Sequence, residues 1–404
     1  MYIKRNNYDR NRTAFRGRVK FGGKVSRGGF RDRAFKDISK FVNKVSIVEE
    51  SAVFKPEHSF ADFAIHDKLK KTILGKGYTD PTPIQDKAIP HVLNGEDVVG
   101  IANTGTGKTA AFLIPIINKI LKSIEEKRVE KALVIVPTRE LAIQIQDEFR
   151  GFATGLSLYS VCVVGGTSIS PQISNLKRTH DIVVGTPGRL KDLIDRKVLN
   201  LSKFNTVVLD EADRMLDMGF INEVKAMIAI LPKPHQTLFF SATMSPEIKS
   251  LISQFLTNPV TISVKTGDTG KGIDQDIVRI ATGENKIEKL FKILKAEDFN
   301  KVLIFGKTKH GVEKLSKSLL ANGFKAESIH GNKNHSKRQQ ALGKFKDNKI
   351  AILVATDVAA RGLDISDVSH VINYDLPATY EDYIHRIGRT GRAGKKGKAL
   401  TFIE

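Results

Sequence analysis

From residue 56 onward the chain alternates short, almost wholly apolar runs with longer segments of helical period. The apolar runs fall at 97–101, 132–136, 160–164, 182–184, 206–209 and 237–240. Between them, apolar residues recur every three or four positions over 108–124, 139–152 and 221–231, which predicts helices. A second alternating block follows, with strand-like runs at 301–305, 326–330, 350–354, 371–374 and 400–403 and helix-like segments at 312–321 and 336–345. Runs apolar at every position suit strands buried on both faces, and strand–helix alternation predicts doubly wound parallel sheets. A Gly/Thr/Asp/Lys stretch over 265–273 separates the blocks and reads as a linker. The expected organisation is therefore α/β, with two tandem domains at 56–264 and 273–404, a linker at 265–272, and an arm over 1–55.

The arm differs in composition. Residues 1–50 hold 14 Lys/Arg against 5 Asp/Glu, a net of 14 − 5 = +9 out of +21 for the whole chain. Aromatics at Tyr2, Tyr8, Phe15, Phe21 and Phe30 are spaced among Arg, Gly and Asn. Such a stretch cannot bury enough apolar area to offset its ordering entropy, so it is expected to be disordered. Phosphate contacts and base stacking would let it hold RNA with little sequence preference; otherwise it is a solvated tail that aids solubility. The overall charge argues for a polyanionic partner. A membrane surface is the weaker choice, because the longest uncharged stretch, 151–176, is broken by Gly, Ser, Thr and Pro. No signal-peptide core is present, and the single cysteine, Cys162, excludes an intrachain disulfide and a thiolate zinc cluster. The expectation is a soluble, cytoplasmic protein. Cys162, in an apolar run, reads as a small buried hydrophobe.

Two segments carry nucleotide chemistry. The run at 97–101 leads into Ala102, Asn103, Thr104, Gly105, Thr106, Gly107, Lys108 and Thr109 and then an apolar helix. This strand, Gly-rich loop and helix start form the context of a phosphate-binding loop. Glycines let successive N–H groups turn towards phosphate oxygens, and the helix N-terminus adds partial positive charge. Lys108 can reach β- and γ-phosphates, and Thr109 offers a hydroxyl to Mg²⁺. The run at 206–209 ends in Asp210, Glu211, Ala212 and Asp213. Asp210 at a strand's C-terminal edge can hold Mg²⁺ through water, and Glu211 is placed to polarise an attacking water.

Asp210-Glu-Ala-Asp213 resembles the signature of the DEAD-box RNA helicases, a branch of superfamily 2. Further motifs occur in the family's order over about 58–404, and the resemblance implies two RecA-like domains using ATP and Mg²⁺ on RNA. Pro81 to Gln85, after Gly77 and Tyr78, resembles the adenine motif. Gln85 would read the base bidentately, and Phe60, 17 residues before Gly77, matches an aromatic that stacks on it; together they imply ATP over GTP. Pro137, Thr138, Arg139, Gly166, Thr186, Gly188 and Arg189 match RNA-contacting motifs of the first domain. Ser241, Ala242 and Thr243 resemble the motif that couples nucleotide state to unwinding, acting with Asp213.

In the second domain, Thr356 and Arg361 match RNA contacts, and Asp364 matches a ribose contact. Arg389 and Arg392 match arginine fingers for the γ-phosphoryl group. His385 matches a residue that bonds across the cleft towards the Ser241 region. Arg338 stands in His335-Ser-Lys-Arg338, where the family commonly has Gln-x-x-Arg, an RNA contact. The family usually continues with a further helix beyond the last strand-like run, after which this chain ends at Glu404, so a trimmed or minimal second domain is expected. The resemblance implies RNA-stimulated ATP hydrolysis that opens short duplexes or remodels RNA–protein complexes locally, with little sequence preference. An ATP-gated RNA clamp or annealer would use the same residues. A DNA translocase is disfavoured by Gln85, Phe60 and Asp210–Asp213.

Overall fold

In the computed structural model, structure is described for residues 54–103, 105–264, 273–296, 299–360, 365, 368–391 and 397–404. The expected arm up to residue 53, the linker 265–272, Thr104, Arg361, Asp364 and Arg392 lie outside these residues.

The first lobe runs α1 (Asp67–Gly75), α2 (Pro83–Leu93), β1 (Val98–Ala102), α3 (Lys108–Glu125), β2 (Ala132–Ile135), α4 (Arg139–Phe152), β3 (Ser160–Val163), α5 (Ile169–Leu176), β4 (Ile182–Gly185), α6 (Pro187–Asp195), β5 (Thr206–Leu209), α7 (Ala212–Asp217), α8 (Ile221–Ala229), β6 (Gln236–Ser241), α9 (Pro246–Phe255) and β7 (Val260–Val264). The second runs β8 (Ile273–Arg279), α10 (Lys286–Ala296), β9 (Val302–Phe305), α11 (Lys309–Ala321), β10 (Ala326–Ile329), α12 (His335–Lys346), β11 (Ile352–Ala355), α13 (Asp357–Ala360), β12 (His370–Asn373), α14 (Tyr380–Ile387) and β13 (Gly397–Ile403).

Among the described residues the strand orders are β3-β4-β2-β5-β6-β1-β7 and β10-β11-β9-β12-β13-β8. Neighbouring strands pair in parallel, as in the ladders Val98↔Leu238 and Leu209↔Phe239. Every second residue of a central strand faces each side. Val134, Val208 and Phe240 face α3 and α4 in one core, while Leu133, Val207 and Phe239 face α6 to α9 in another. The second sheet divides likewise: Leu303 and Leu353 face α12, and Ile304 and Val354 face α11. This two-sided burial is why the central strands read as continuous apolar runs. Each large side chain so buried stabilises the fold by about 1.5–3 kcal/mol.

Two strands were not marked by such runs. β7 and β8 are edge strands that alternate buried and solvent-facing positions, so their sequences mix Thr, Ser, Asp and Arg with the apolar residues. Ile273, expected at the end of the linker, is the first residue of β8. The predicted helix over 221–231 ends at Ala229. Cys162 lies in β3, where burial pushes its thiol up to about 12, which leaves it a poor nucleophile at neutral pH. No helix among the described residues is long and apolar enough to cross a membrane.

In the first sheet β1, β6 and β5 are neighbours. The loop after β1, the turn after β5 and the segment after β6 therefore open side by side at the C-terminal edge, where ligands bind in open parallel sheets.

Candidate functional site

The loop after β1 delivers Lys108 as the first residue of α3. Its Nζ is buried and donates to the Ala102 carbonyl at 2.7 Å, so the ammonium is folded back onto the end of β1. The Thr106 hydroxyl donates to the Asn103 carbonyl at 2.8 Å and fixes the loop's curl. Gly107 has φ +91° and presses against Gln85, whose amide a Cβ there would overlap. Gln85 Nε2 donates to the Gly107 carbonyl at 3.0 Å, and its Oε1 accepts from the Thr82 N–H at 2.9 Å. The adenine motif and the phosphate loop are thus tied together. An amide has two N–H groups and two acceptor lone pairs, so one of each stays open on Gln85.

Beyond β5 the chain turns sharply, with Glu211 in the left-handed region at φ 55°, ψ 49°. Glu211 donates its N–H to Asp210 Oδ1 at 2.9 Å. Burial pushes the Asp210 carboxyl up to about 6, although the Lys108 charge opposes the rise. Burial also works against ionised Asp213, but Lys108 and Arg214 more than offset it and hold this carboxyl below its ordinary range. Asp213 Oδ2 accepts from the N–H groups of Ala242 and Thr243, both at 3.0 Å, and from the Thr243 hydroxyl at 3.2 Å. Ser241, at the end of β6, is fully buried beside them. The donor chemistry fits a divalent cation: Asp210 is a buried carboxyl at the C-terminal end of β5, where a cation would favour its charged form against the burial that now raises it.

The second lobe meets this turn. Arg214 lies against a cavity walled by Phe305, Asp357, Asp382, His385, Arg386 and Arg389. Burial pushes His385 down to about 4, and the Arg214 charge adds to the effect, so the imidazole is neutral at physiological pH. Arg386 anchors the wall. It grips Asp357 with two bonds of 2.6 and 2.7 Å, reaches the Asp375 carbonyl at 2.6 Å, and lies over the Phe305 ring. Tyr383 ties the same helix to β8 through Gln275 at 2.7 Å. Arg389 is buried on this wall.

The remaining loops gather at a neighbouring part of the edge. Thr138 follows buried Pro137 and caps α4 by accepting from the Leu141 N–H. Gly166, at φ +70°, leaves room for the Arg139 guanidinium, which a Cβ would overlap. Thr186 occupies the N-cap position of α6 without a side-chain capping bond, and Gly188 in the first turn is exposed. Arg189 donates to the Thr167 carbonyl at 3.1 Å, while its Nη1 is buried with no bond. Arg139 feels the charges of both Arg338 and Arg189. Arg338 crosses from the second lobe to Glu140 at 2.9 Å. Thr356 closes the first turn of α13 through its carbonyl.

Residues 82–251 match the DEAD/DEAH box helicase family model, and residues 285–394 match the helicase conserved C-terminal domain. The chain is 47% identical over 345 residues to the ATP-dependent RNA helicase CshA of Limosilactobacillus reuteri, covering 85% of this chain and 69% of that one. The chain belongs to the DEAD-box family of ATP-dependent RNA helicases. RNA helicase CrhR of Synechocystis is 45% identical, covering 86% of this chain and 70% of its own. Among solved structures, S. cerevisiae Dbp5 bound to RNA and ADP BeF3 matches at a TM-score of 0.76 with 30% identity, covering 86% of this helicase and 89% of Dbp5. Mss116p bound to ssRNA and AMP-PNP matches at 0.77 with 32% identity, covering 88% and 76%. These matches make both lobes RecA-like.

Within the helicase, Phe60 departs from expectation. It is 1% exposed and meets Phe63 and Tyr78 edge-on in the core. Packed this way, the ring ties the segment before α1 to the first lobe's core. Arg338 pairs with Glu140 through one terminal nitrogen, while its buried Nε makes no hydrogen bond. Three residues of the site had no assigned role in the sequence reading: Glu140, Arg214 and Arg386. Each was visible as a charge among residues destined for burial. Arg214 in particular sits between Ala212 and Met215 on a helix that packs under β6.

Proposed function

We propose that this helicase couples RNA-stimulated ATP hydrolysis to local, non-processive opening of short RNA duplexes or remodelling of RNA–protein complexes in the cytoplasm. The observation that carries this reading is the seam at which His385 and Arg389 of one lobe face the Glu211–Arg214 turn of the other. The open donor and acceptor of Gln85 match adenine's paired edge. Lys108 exchanges the Ala102 carbonyl for phosphate oxygens, a stronger, charge-assisted bond. Thr109 and Asp210 would hold Mg²⁺, which would neutralise triphosphate charge. Glu211 orients the attacking water, Arg389 and Arg392 face charge developing on the γ-phosphoryl group, and Asp364 takes the ribose.

RNA closes the lobes by bridging them. Arg139 and Arg189 supply charge, and the backbone near Pro137, Thr138, Gly166, Thr186, Gly188, Thr356 and Arg361 grips phosphates and 2′-hydroxyls. Such contacts carry little sequence information. The closed grip distorts one strand, and Asp213, Ser241, Thr243 and His385 pass the nucleotide state between lobes.

The test is ATP turnover with and without RNA, together with displacement of a short duplex, for wild type and Lys108→Ala. RNA-stimulated turnover and displacement in wild type, both lost in the variant, are expected. Turnover indifferent to RNA would overturn the reading; stimulated turnover without displacement would leave only a clamp.

A further inference from the structure

Arg214 follows the four signature residues and is 2% exposed. Its Nη1 donates to Glu211 Oε2 at 3.1 Å, an ion pair in which both side chains are almost wholly buried. Its backbone N–H is shared between the Asp213 carboxylate and the Glu211 carbonyl, both at 3.0 Å. The other terminal nitrogen, Nη2, is buried and makes no hydrogen bond. Arg214 also contributes the first-lobe side chain to the cavity walled by Phe305, Asp357, His385 and Arg389. One guanidinium therefore bonds the Glu211 carboxylate and also lines the cavity whose other walls come from the second lobe.

Two physical points separate this from simple fold support. A buried ion pair gains little stability over well-packed apolar residues of the same volume, so the core does not require an arginine there. Glu211 also occupies a left-handed backbone conformation, a strain that persists where the surrounding structure holds the geometry. A rigid planar fork with one bond made and one open suits a group that must hold its partner and respond to what lies behind it. Asp357 is already taken by Arg386, so that wall is fixed and Arg214 is the side that adapts.

We propose that Arg214 is a positioning residue for Glu211, transmitting the placement of the second lobe to the carboxylate that orients the attacking water. The inference rests on the proposed ATPase reading and names a residue that sets its chemical step. Removing the fork lets the Glu211 carboxylate swing while the phosphate loop and Gln85 stay intact. Turnover should suffer and nucleotide capture should not.

The experiment uses the full chain and measures RNA-stimulated kcat, the KM values for ATP and RNA, and thermal unfolding for Arg214→Gln and Arg214→Lys. Arg214→Gln is expected to lower kcat by roughly 10–100-fold, the scale of a misplaced catalytic group, with both KM values within about two-fold. Arg214→Lys keeps the charge and one donor, so it should recover part of the loss. In a Glu211→Gln background, Arg214→Gln should lower the residual turnover no further. Wild-type kcat in folded Arg214→Gln overturns the proposal. So does a fall in kcat that tracks lost thermal stability and persists undiminished in the Glu211→Gln background. If wild type itself shows no RNA-stimulated turnover, the ATPase reading fails and the proposal falls with it; if only the variants behave like wild type, the reading stands and Arg214 alone is refuted.

Discussion

Thr243 bonds Asp213 twice, through its N–H at 3.0 Å and its hydroxyl at 3.2 Å, and so fastens the end of β6 to the acidic turn after β5. Asp213 in turn feels His385 on the second lobe. The link is polar and short, and its bonds join β6 to the acidic turn rather than to the phosphate loop. Thr243→Val removes the hydroxyl bond at constant shape, a loss of roughly 1.5–3 kcal/mol for a bond to a charged group. ATP affinity is expected to stay within about two-fold, while duplex displaced per ATP consumed falls. Parallel ATPase and displacement assays check this.

Asp210 gives the molecule a pH signature. Its folded-state value of about 6 lies above the ordinary 3.8. The stability it contributes is therefore fully present below about pH 4 and is lost as pH rises through about 6. Asp210→Asn removes the ionisation. The variant should match wild type near pH 4 and become more stable between pH 4 and 7, by at most about 3 kcal/mol for a two-unit shift. Thermal unfolding of both proteins across that range checks the sign. Mg²⁺-dependent nucleotide binding should weaken in the same variant.

Gly166→Ala places a Cβ on the Arg139 guanidinium at a backbone φ of +70°. The arginine must leave its seat. RNA affinity should fall, and the salt slope of log Kobs should shrink by about one for one lost phosphate contact. ATP KM should be unchanged. Titrations at several salt concentrations measure the slope.

How much of this was legible in the sequence follows the physics of burial. Strands sandwiched between helix layers must be apolar throughout, so β5 could be placed to the residue and its neighbours to within one or two. Edge strands β7 and β8 need only half a face, and their mixed composition hid them. The phosphate loop and the acidic turn were readable because close backbone approach and strand-end carboxylates fix both residue type and spacing. Partner choice was not readable. Nothing local says that Arg338 pairs with Glu140 across the lobes, or that Glu211 is held by Arg214. Phe60 shows the same limit: its spacing from Gly77 matched a stacking ring but did not show that it packs in the core against Phe63 and Tyr78.

Phe60→Leu discriminates the two roles of that ring. As a core residue it should lose stability within the roughly 0.5–3 kcal/mol typical of buried truncations. The preference for ATP over GTP should not change. Thermal unfolding and competition binding with both nucleotides test the pair of outcomes.

The central claim is that the triphosphate pocket is completed by the second lobe when RNA bridges the two. Steady-state ATP turnover of Arg389→Ala, measured with saturating single-stranded RNA against wild type, tests it most directly. The expected result is a loss of RNA-stimulated kcat of roughly 10³-fold or more, the scale of a missing arginine finger, with nucleotide binding retained. Wild-type turnover in that variant would contradict the account.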